Sequence, residues 1–449
     1  MINMTEGNTV KLLVSFSIPM LIGNIFQQLY NLADSIIVGQ IIGAQALAAI
    51  GATGSITFFF FALCNGIGSG AGIITSHFFG EGNDSKVKNC IVNTAFIMLV
   101  VPLVIGSIAF VSANPILKFL KTPDSIMADS SAYMKIMCCN LFLVSAYNFV
   151  SSMLRALGDS KTPLYFLIFS CFLNVILDLI FVCAFHMGVI GAGIATLISN
   201  VICSVLCIIF AFKTNVYFKL SRSDIHLNTD ILSKCVRLGV PLSLQYSMIA
   251  ISCMALQRVV NNFGSVAVAA FTAVSRVEQL LHQPYQTLGA ALSTYSGQNY
   301  GAKKFDRMIL GYKKSMIMMA IFTLAMLPIM QFFGNGIIRF FVKEPEVIVM
   351  GAKALRISSW FYIFLGCIYT IRGILTGAGD ATFAFINGIT EVIGRFTVPF
   401  ILTVIPLFGV WGIWWSVGIV WFLSAATAWR RYIWMKKKKL GGVTGAEPL

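Results

Sequence analysis

Long apolar runs recur from one end of this chain to the other, most of them near or above the roughly 18 residues that a bilayer-spanning helix needs. Twelve can be read, at about 14–37, 46–78, 89–111, 132–154, 163–186, 189–212, 236–260, 265–296, 309–333, 352–376, 382–405 and 409–434. The second and eighth are longer than a membrane requires, and are expected to tilt or to project from it. Only 11% of the residues are charged and 57% are hydrophobic, whereas soluble domains carry about 25% charged residues. The pattern excludes a soluble fold. It predicts an all-α polytopic membrane protein with twelve transmembrane helices.

The net charge of +15 would suggest nucleic acid in a soluble protein. Here Lys and Arg gather in the short polar breaks: Lys86/Lys88, Arg155/Lys161, the stretch from Lys213 to Arg237, "GAKKFDR…YKK", and the tail "RRYIWMKKKK". That is the positive-inside pattern, and no nucleic-acid partner is expected. Roughly two thirds of the basic residues fall on the side that holds both termini, which places both ends in the cytoplasm of a cell-membrane protein. The n-region "MINMTEGNTVK" is not strongly basic and no small-residue cleavage pattern follows, so the first span reads as a retained helix. The "KKKK" tail could bind anionic lipid, although setting topology is its simpler role.

The chain also repeats itself at an offset of about 221 residues. "FSIPML" (16–21) answers "LGVPLS" (238–243), "IIGAQALAAIG" (41–51) answers "NFGSVAVAAFT" (262–272), "LRALGD" (154–159) answers "LTGAGD" (375–380), and "GVIGAGIA" (188–195) answers "GVWGIWWS" (409–416). Each half holds six spans. Six is even, so the halves keep one orientation, as two six-helix lobes related by a pseudo-two-fold axis along the membrane normal. The organisation expected is an N-lobe at 1–212, a cytoplasmic linker at 213–235, a C-lobe at 236–435 and a basic tail at 436–449. Parallel repeats of this kind place a transporter's substrate site between the halves.

Nothing catalytic competes with that reading. The four histidines, His77, His186, His226 and His282, are scattered, and there is no HExxH, serine motif or P-loop. Most of the eleven cysteines, such as Cys64, Cys171, Cys203, Cys207 and Cys253, lie inside apolar spans without metal-ligand spacing. No disulfide, metal or organic cofactor is expected, and the chain is not expected to be an enzyme. Without a P-loop, any pumping has to draw on an ion gradient or a separate ATPase subunit.

Of seventeen carboxylates, four lie within the spans: Asp34, Asp178, Glu278 and Glu391. Each costs on the order of 2.5–3.5 kcal/mol at a helix centre, which implies a partner, a watery cavity or a function. Burial disfavours the charged form of a carboxyl, so such a group can bind and release a proton near neutral pH. Tyr30 is four residues before Asp34 and Asn174 is four before Asp178, so each pair shares one helix face. The alternative is that each acid is neutral and caps a buried hydrogen-bond network. At the repeat offset Asp34 falls on Ala255, Asn174 on Arg395, Asp178 on Pro399 and Thr196 on Val417. The polar cluster was not kept in both halves, which points to a site peculiar to the first. Glu278 has Arg276 nearby as a second polar site, and Glu391 has Arg395 one turn later as an i,i+4 pair that can neutralise itself.

"YNLADSIIVGQIIGAQALAAIG", "LRALGDSKTP", "NVILDLIF…GVIGAGIAT" and "RVEQLLHQPYQTLGAALSTYSGQNYGA" together resemble the multidrug and toxic compound extrusion (MATE) family, over nearly the whole chain and in order. The resemblance implies a secondary antiporter that exports cationic or amphipathic compounds in exchange for protons or sodium, working as a monomer in the bilayer. It further implies a V-shaped fold of two lobes around a central cavity. The DinF-type branch matches best. Its N-lobe coupling pocket carries over onto Tyr30, Asp34, Asn174, Asp178 and Thr196, and its bending helix-1 proline onto Pro19. Independently, a proline inside a helix favours a kink. The NorM-type branch uses carboxylates on helices 7–8 and 10. Glu278 could supply the first, but the tenth span has no Asp or Glu, so proton coupling is favoured over sodium. A sodium site from Asp34, Asn174, Asp178 and Thr196 oxygens stays open. The rival readings are a lipid-linked oligosaccharide flippase of the wider superfamily, a major-facilitator transporter, and a nontransporting receptor or scaffold. "GEGNDSKVKN" lacks the major-facilitator loop motif.

Overall fold

A computed structural model describes residues 2–120, 122–222 and 224–440. These form thirteen α-helices and, among the described residues, no strand. The helices are α1 (Thr9–Ile37), α2 (Ala44–Gly80), α3 (Asp84–Phe119), α4 (Asp124–Ala156), α5 (Lys161–Asp178), α6 (Gly188–Thr214), α7 (Thr229–Asn261), α8 (Gly264–Gly301), α9 (Phe305–Arg339), α10 (Pro345–Ser359), α11 (Tyr362–Gly377), α12 (Ala381–Val404) and α13 (Gly412–Met435).

Each predicted span finds its helix. The tenth is split into α10 and α11, bent by 51°. Ten of the helices are long and apolar enough to cross a membrane, and the α10–α11 pair passes as an eleventh. The twelfth is α8. At 38 residues its length suffices, but "SRVEQLLHQPYQ" makes it more polar than the rest. Large apolar side chains such as Ile321, Leu324 and Phe332 on α9 stand exposed, as a lipid-facing surface requires.

Several helices start earlier than apolarity alone suggests. The side chain of Asn83 accepts a hydrogen bond from the backbone N–H of Lys86 and caps α3 at Asp84. Asn228 does the same for Asp230 and Ile231 (3.0 and 3.3 Å) and opens α7 at Thr229. The expected linker at 213–235 is therefore helical at both ends, at 213–214 and 229–235. Its irregular part, among the described residues, is 215–222 and 224–228, which includes a short 3₁₀ turn at Val216–Phe218. Nor are α2 and α8 alone in exceeding the membrane, since α3 and α9 run to 36 and 35 residues. Polar helical ends that project into water look like loops in a hydropathy reading. Of the basic tail, residues 441–449 lie outside the described residues.

The chain forms two compact units, and neither is cut at the linker. Unit 1 comprises Met1–Asn3 and Ile18–Ser243, and unit 2 comprises Met4–Ser17 and Leu244–Leu449. The divisions fall inside α1, next to Pro19, and inside α7, just after Pro241. Proline has no N–H to donate, so the carbonyl four residues earlier loses its helical partner and the helix is weakened there.

Candidate functional site

The acid-bearing helices of unit 1 share an irregularity. α1 passes at Val38–Ile42 into a wide π turn, four residues after Asp34, and Gly43 ends it with φ of 115°. α5 ends on Asp178 itself and continues as a second π turn, Leu179–Ala184. Such turns leave the regular i to i−4 ladder and recur at functional sites.

The five expected residues come together. Asp178 and Asn174 on α5 are almost completely buried, and Thr196 on α6 nearly so, while Asp34 and Tyr30 on α1 are half-buried. The Asn174 Nδ2 donates to Asp178 Oδ2 at 2.8 Å, and its Oδ1 faces the Thr196 backbone N (3.2 Å) and Oγ1 (3.3 Å). The Thr196 hydroxyl donates to the Ala192 carbonyl at 3.1 Å. Tyr30 lies near Thr196. The Asp34 and Asp178 carboxyls lie within hydrogen-bonding reach of each other. One oxygen of each, Oδ1, is buried without a hydrogen-bond partner in the protein.

Two carboxyls facing each other out of water cannot both be bare anions. They share a proton, or a cation lies against them. Neither takes part in an ion pair among the described residues, so the protein supplies no fixed countercharge. That is the arrangement an exchangeable ion needs.

Below the acids lies an apolar cluster of Val38, Ala46, Val182, Val189 and Ala192. It joins the two π turns to α2 and α6. Tyr133, on α4, packs against this cluster and brings its phenol close to both Asp34 and Asp178. The sequence reading missed it, because a lone tyrosine in an apolar span carries no signal without its tertiary neighbours.

Unit 2 has a polar interior of a different kind. Glu391 on α12 pairs closely with Arg372 on α11, and with Arg395 at 4.0 Å. Arg372 also donates to Asn387 Oδ1 at 2.6 Å, and Asn387 donates to Ser424 Oγ at 2.8 Å. The sequence paired Glu391 with Arg395 alone, and Arg372 is the nearer partner. Glu278 accepts from the Tyr362 hydroxyl at 3.5 Å and has Arg395 in its surroundings. Arg276 is exposed and makes no ion pair with Glu278, so these two do not form the second polar site as expected. On a helix, residues two apart point to different faces.

A family model described as MatE matches residues 19–180 and again 241–401, one match in each half of the repeat. The chain belongs to the MatE family. MatE proteins are membrane transporters, and twelve membrane helices in two lobes are their fold. The "Probable multidrug resistance protein YpnP" of Bacillus subtilis (strain 168) is 32% identical over 378 residues, 84% of each chain. The "Multidrug export protein MepA" of Staphylococcus aureus (strain MSSA476) is 23% identical over 418 residues, covering 93% of this chain and 92% of that one. A crystal structure of a MATE protein in a bent conformation is similar with a TM-score of 0.90 at 24% identity, covering 97% of this chain and 98% of that one. At that identity the likeness carries the fold alone. This MatE chain is thus a multi-pass protein of the lipid bilayer that handles small molecules.

Proposed function

We propose that this protein is an ion-coupled antiporter that exports amphipathic or cationic compounds across the cell membrane by alternating access, with both termini in the cytoplasm. The coupling site is the Asp34–Asp178 pair with Tyr30, Asn174 and Thr196, and the coupling ion is a proton. The observation that carries the reading is the facing pair of carboxyls without a fixed countercharge. Membership of the family and relatives named for multidrug resistance and export support the substrate class. The DinF-type branch fits best, because the polar cluster of unit 1 contains all five of its residues.

The proton is favoured because a buried carboxyl, Asp178, within reach of the half-buried Asp34 forms a ready proton-sharing pair. Sodium is the rival ion, since oxygens of Asp34, Asn174, Asp178 and Thr196 converge there. The test is efflux of ethidium from proteoliposomes under an imposed proton or sodium gradient, with the wild type and Asp34→Asn. The wild type should respond to the proton gradient, and Asp34→Asn should lose that response. Efflux driven by sodium alone at fixed pH and potential would replace the ion, and full gradient-driven efflux by Asp34→Asn would overturn the site.

A further inference from the structure

The motif "SGQNYGAKKFDR" (296–307), at the α8–α9 turn, plays no part in the coupling site, yet four of its side chains, Gln298, Asn299, Lys304 and Arg307, converge on one task. They grip the backbone of the segment that leads into α1. The Met4 N–H donates to Gln298 Oε1 at 2.9 Å, and Asn299 Nδ2 donates to the Met4 carbonyl at 3.1 Å. Arg307 donates to the Gly7 carbonyl at 3.1 Å and reaches that of Met4 at 3.4 Å. Lys304 donates to the Thr5 carbonyl at 3.1 Å and sits 3.8 Å from Glu6. Thr9 and the buried Tyr295 share a hydroxyl contact at 3.1 Å. The grip is mostly on main-chain groups, so it holds a shape more than particular side chains. Met4, Gln298 and Asn299 are all fully buried, which makes each lost bond expensive.

The same device occurs before α7, the repeat partner of α1. Asn89 Nδ2 on α3 donates to the His226 carbonyl at 2.9 Å, and Asn93 does so at 3.2 Å. Asn93 Oδ1 in turn accepts from the Asn228 N–H at 2.9 Å. Both segments end in Asn-Thr, Asn8-Thr9 and Asn228-Thr229, with the asparagine capping the helix that follows. Unit 2 contains the first strap together with α1 as far as Ser17, and unit 1 contains the second together with α7 as far as Ser243. Within unit 1 the first half of α7 is further fixed to α2. A Cβ on Gly70 would lie 2.6 Å from the Gly239 Cα, so the two backbones touch.

We propose that the two straps are permanent anchors: Met4–Gly7 on the α8–α9 turn and Asp224–Asn228 on α3 hold the first halves of α1 and α7 stationary, so that transport movements of these helices are confined to the residues beyond Pro19 and Pro241. Asn299 and Arg307 are then positioning residues for Asp34, which lies on the far side of Pro19 in the same helix. The inference rests on the transport reading for its efflux measurements and on hydrogen exchange without it.

The amide of Met4 and its neighbours in residues 2–9 should exchange slowly in the purified full-length protein at both pH 6 and pH 8, and exchange on the order of 100-fold faster in Arg307→Ala and Asn299→Ala. Rapid exchange in the wild type at either pH overturns the proposal. In proteoliposomes, Thr5→Cys/Lys304→Cys joined by a short reducible bis-thiosulfonate linker should keep ethidium efflux within about twofold of its unlinked rate, with the wild type treated in parallel. Loss of efflux on linking and its recovery on reduction would make the strap a latch that must open, and would also overturn the proposal. Arg307→Ala should lower the maximal efflux rate about tenfold at a nearly unchanged KM, and the linker should restore it. A wild type that moves no ethidium on either gradient removes the transport reading alone, and hydrogen exchange then decides the anchors.

Discussion

Asn174 donates to Asp178 from one helical turn earlier on α5, at 2.8 Å, and so fixes one oxygen of a carboxyl whose other oxygen has no partner in the protein. The amide orients the acid toward Asp34 without neutralising it. Asn174→Ala should therefore harm the site more than a surface substitution would. Loss of one donor to a buried carboxyl costs about 1–3 kcal/mol. Thermal unfolding in detergent should show that loss, and gradient-driven efflux should fall with it. An unchanged melting temperature together with unchanged efflux would remove Asn174 from the site.

Arg372 illustrates the opposite logic in unit 2. Its pairing with Glu391 is buried, and Asn387 and Ser424 complete the network. Arg372→Ala would leave Glu391 with the longer ion pair to Arg395, at 4.0 Å, and the Ser424 hydroxyl at 3.4 Å. Breaking a buried pair on one side costs about 3–5 kcal/mol, whereas replacing both members by neutral groups of similar size costs far less. The Arg372→Met/Glu391→Gln protein should melt well above Arg372→Ala. If both melt alike, the pair is not what holds α11 to α12.

The second strap gives a pH dependence outside the membrane. Asp224 accepts from the Ser221 backbone N–H at 2.8 Å and hydroxyl at 2.7 Å, with Lys88 3.7 Å away. The Ser221 bonds first, and then Lys88, hold its carboxyl below the usual carboxylate value. A lowered folded-state pKa means that the stabilisation is complete above the unfolded value, about 4, and is lost as pH falls through the lower folded value. Hydrogen exchange at residues 221–228 should therefore stay slow near neutrality and quicken in acid. Asp224→Asn should exchange faster near neutrality and lose that acid step.

Much of the site was legible because its pairs are local. Tyr30 with Asp34 and Asn174 with Asp178 are four apart on one helix, and an acid in an apolar run stands out. Arg372 and Tyr133 were not legible, for a common reason. Arg372 meets its partner nineteen residues along the chain, on the next helix, and Tyr133 reaches Asp34 from α4 only once the unit has folded. The π turns after Asp34 and Asp178 had no sequence signature at all. The straps were visible only as polar breaks, since a hydropathy profile cannot distinguish a loop exposed to water from a segment whose main chain is gripped by asparagines. The repeat marked Pro19 and Pro241 as equivalent. That the units divide beside them depends on packing.

Close packing in unit 1 can be tested with two glycines of one helix. In α2, a Cβ on Gly70 would lie 2.6 Å from backbone atoms of Gly239, while one on Gly54 would meet nothing within 4 Å. Gly70→Ala must push α7 away and should lower stability by about 1–3 kcal/mol. Gly54→Ala has room, and should stabilise its helix by roughly 0.5–1 kcal/mol. Melting temperatures of the two variants should thus move in opposite directions from the wild type. Equal shifts would mean that α2 and α7 are not in backbone contact in the membrane.

Tyr133 offers the sharpest division between packing and chemistry. Its ring packs against the apolar cluster, and its phenol lies in the electrostatic neighbourhood of both acids. Tyr133→Phe keeps the ring and removes only the hydroxyl. If the phenol helps to hold the shared proton or ion, this variant should melt like the wild type and yet lose efflux, by about tenfold for a hydrogen bond worth ~1.4 kcal/mol. Tyr133→Ala should lose both, because removing a packed aromatic ring costs about 3–5 kcal/mol. Wild-type efflux by Tyr133→Phe would confine the residue to packing and leave the acid pair served by α1, α5 and α6 alone.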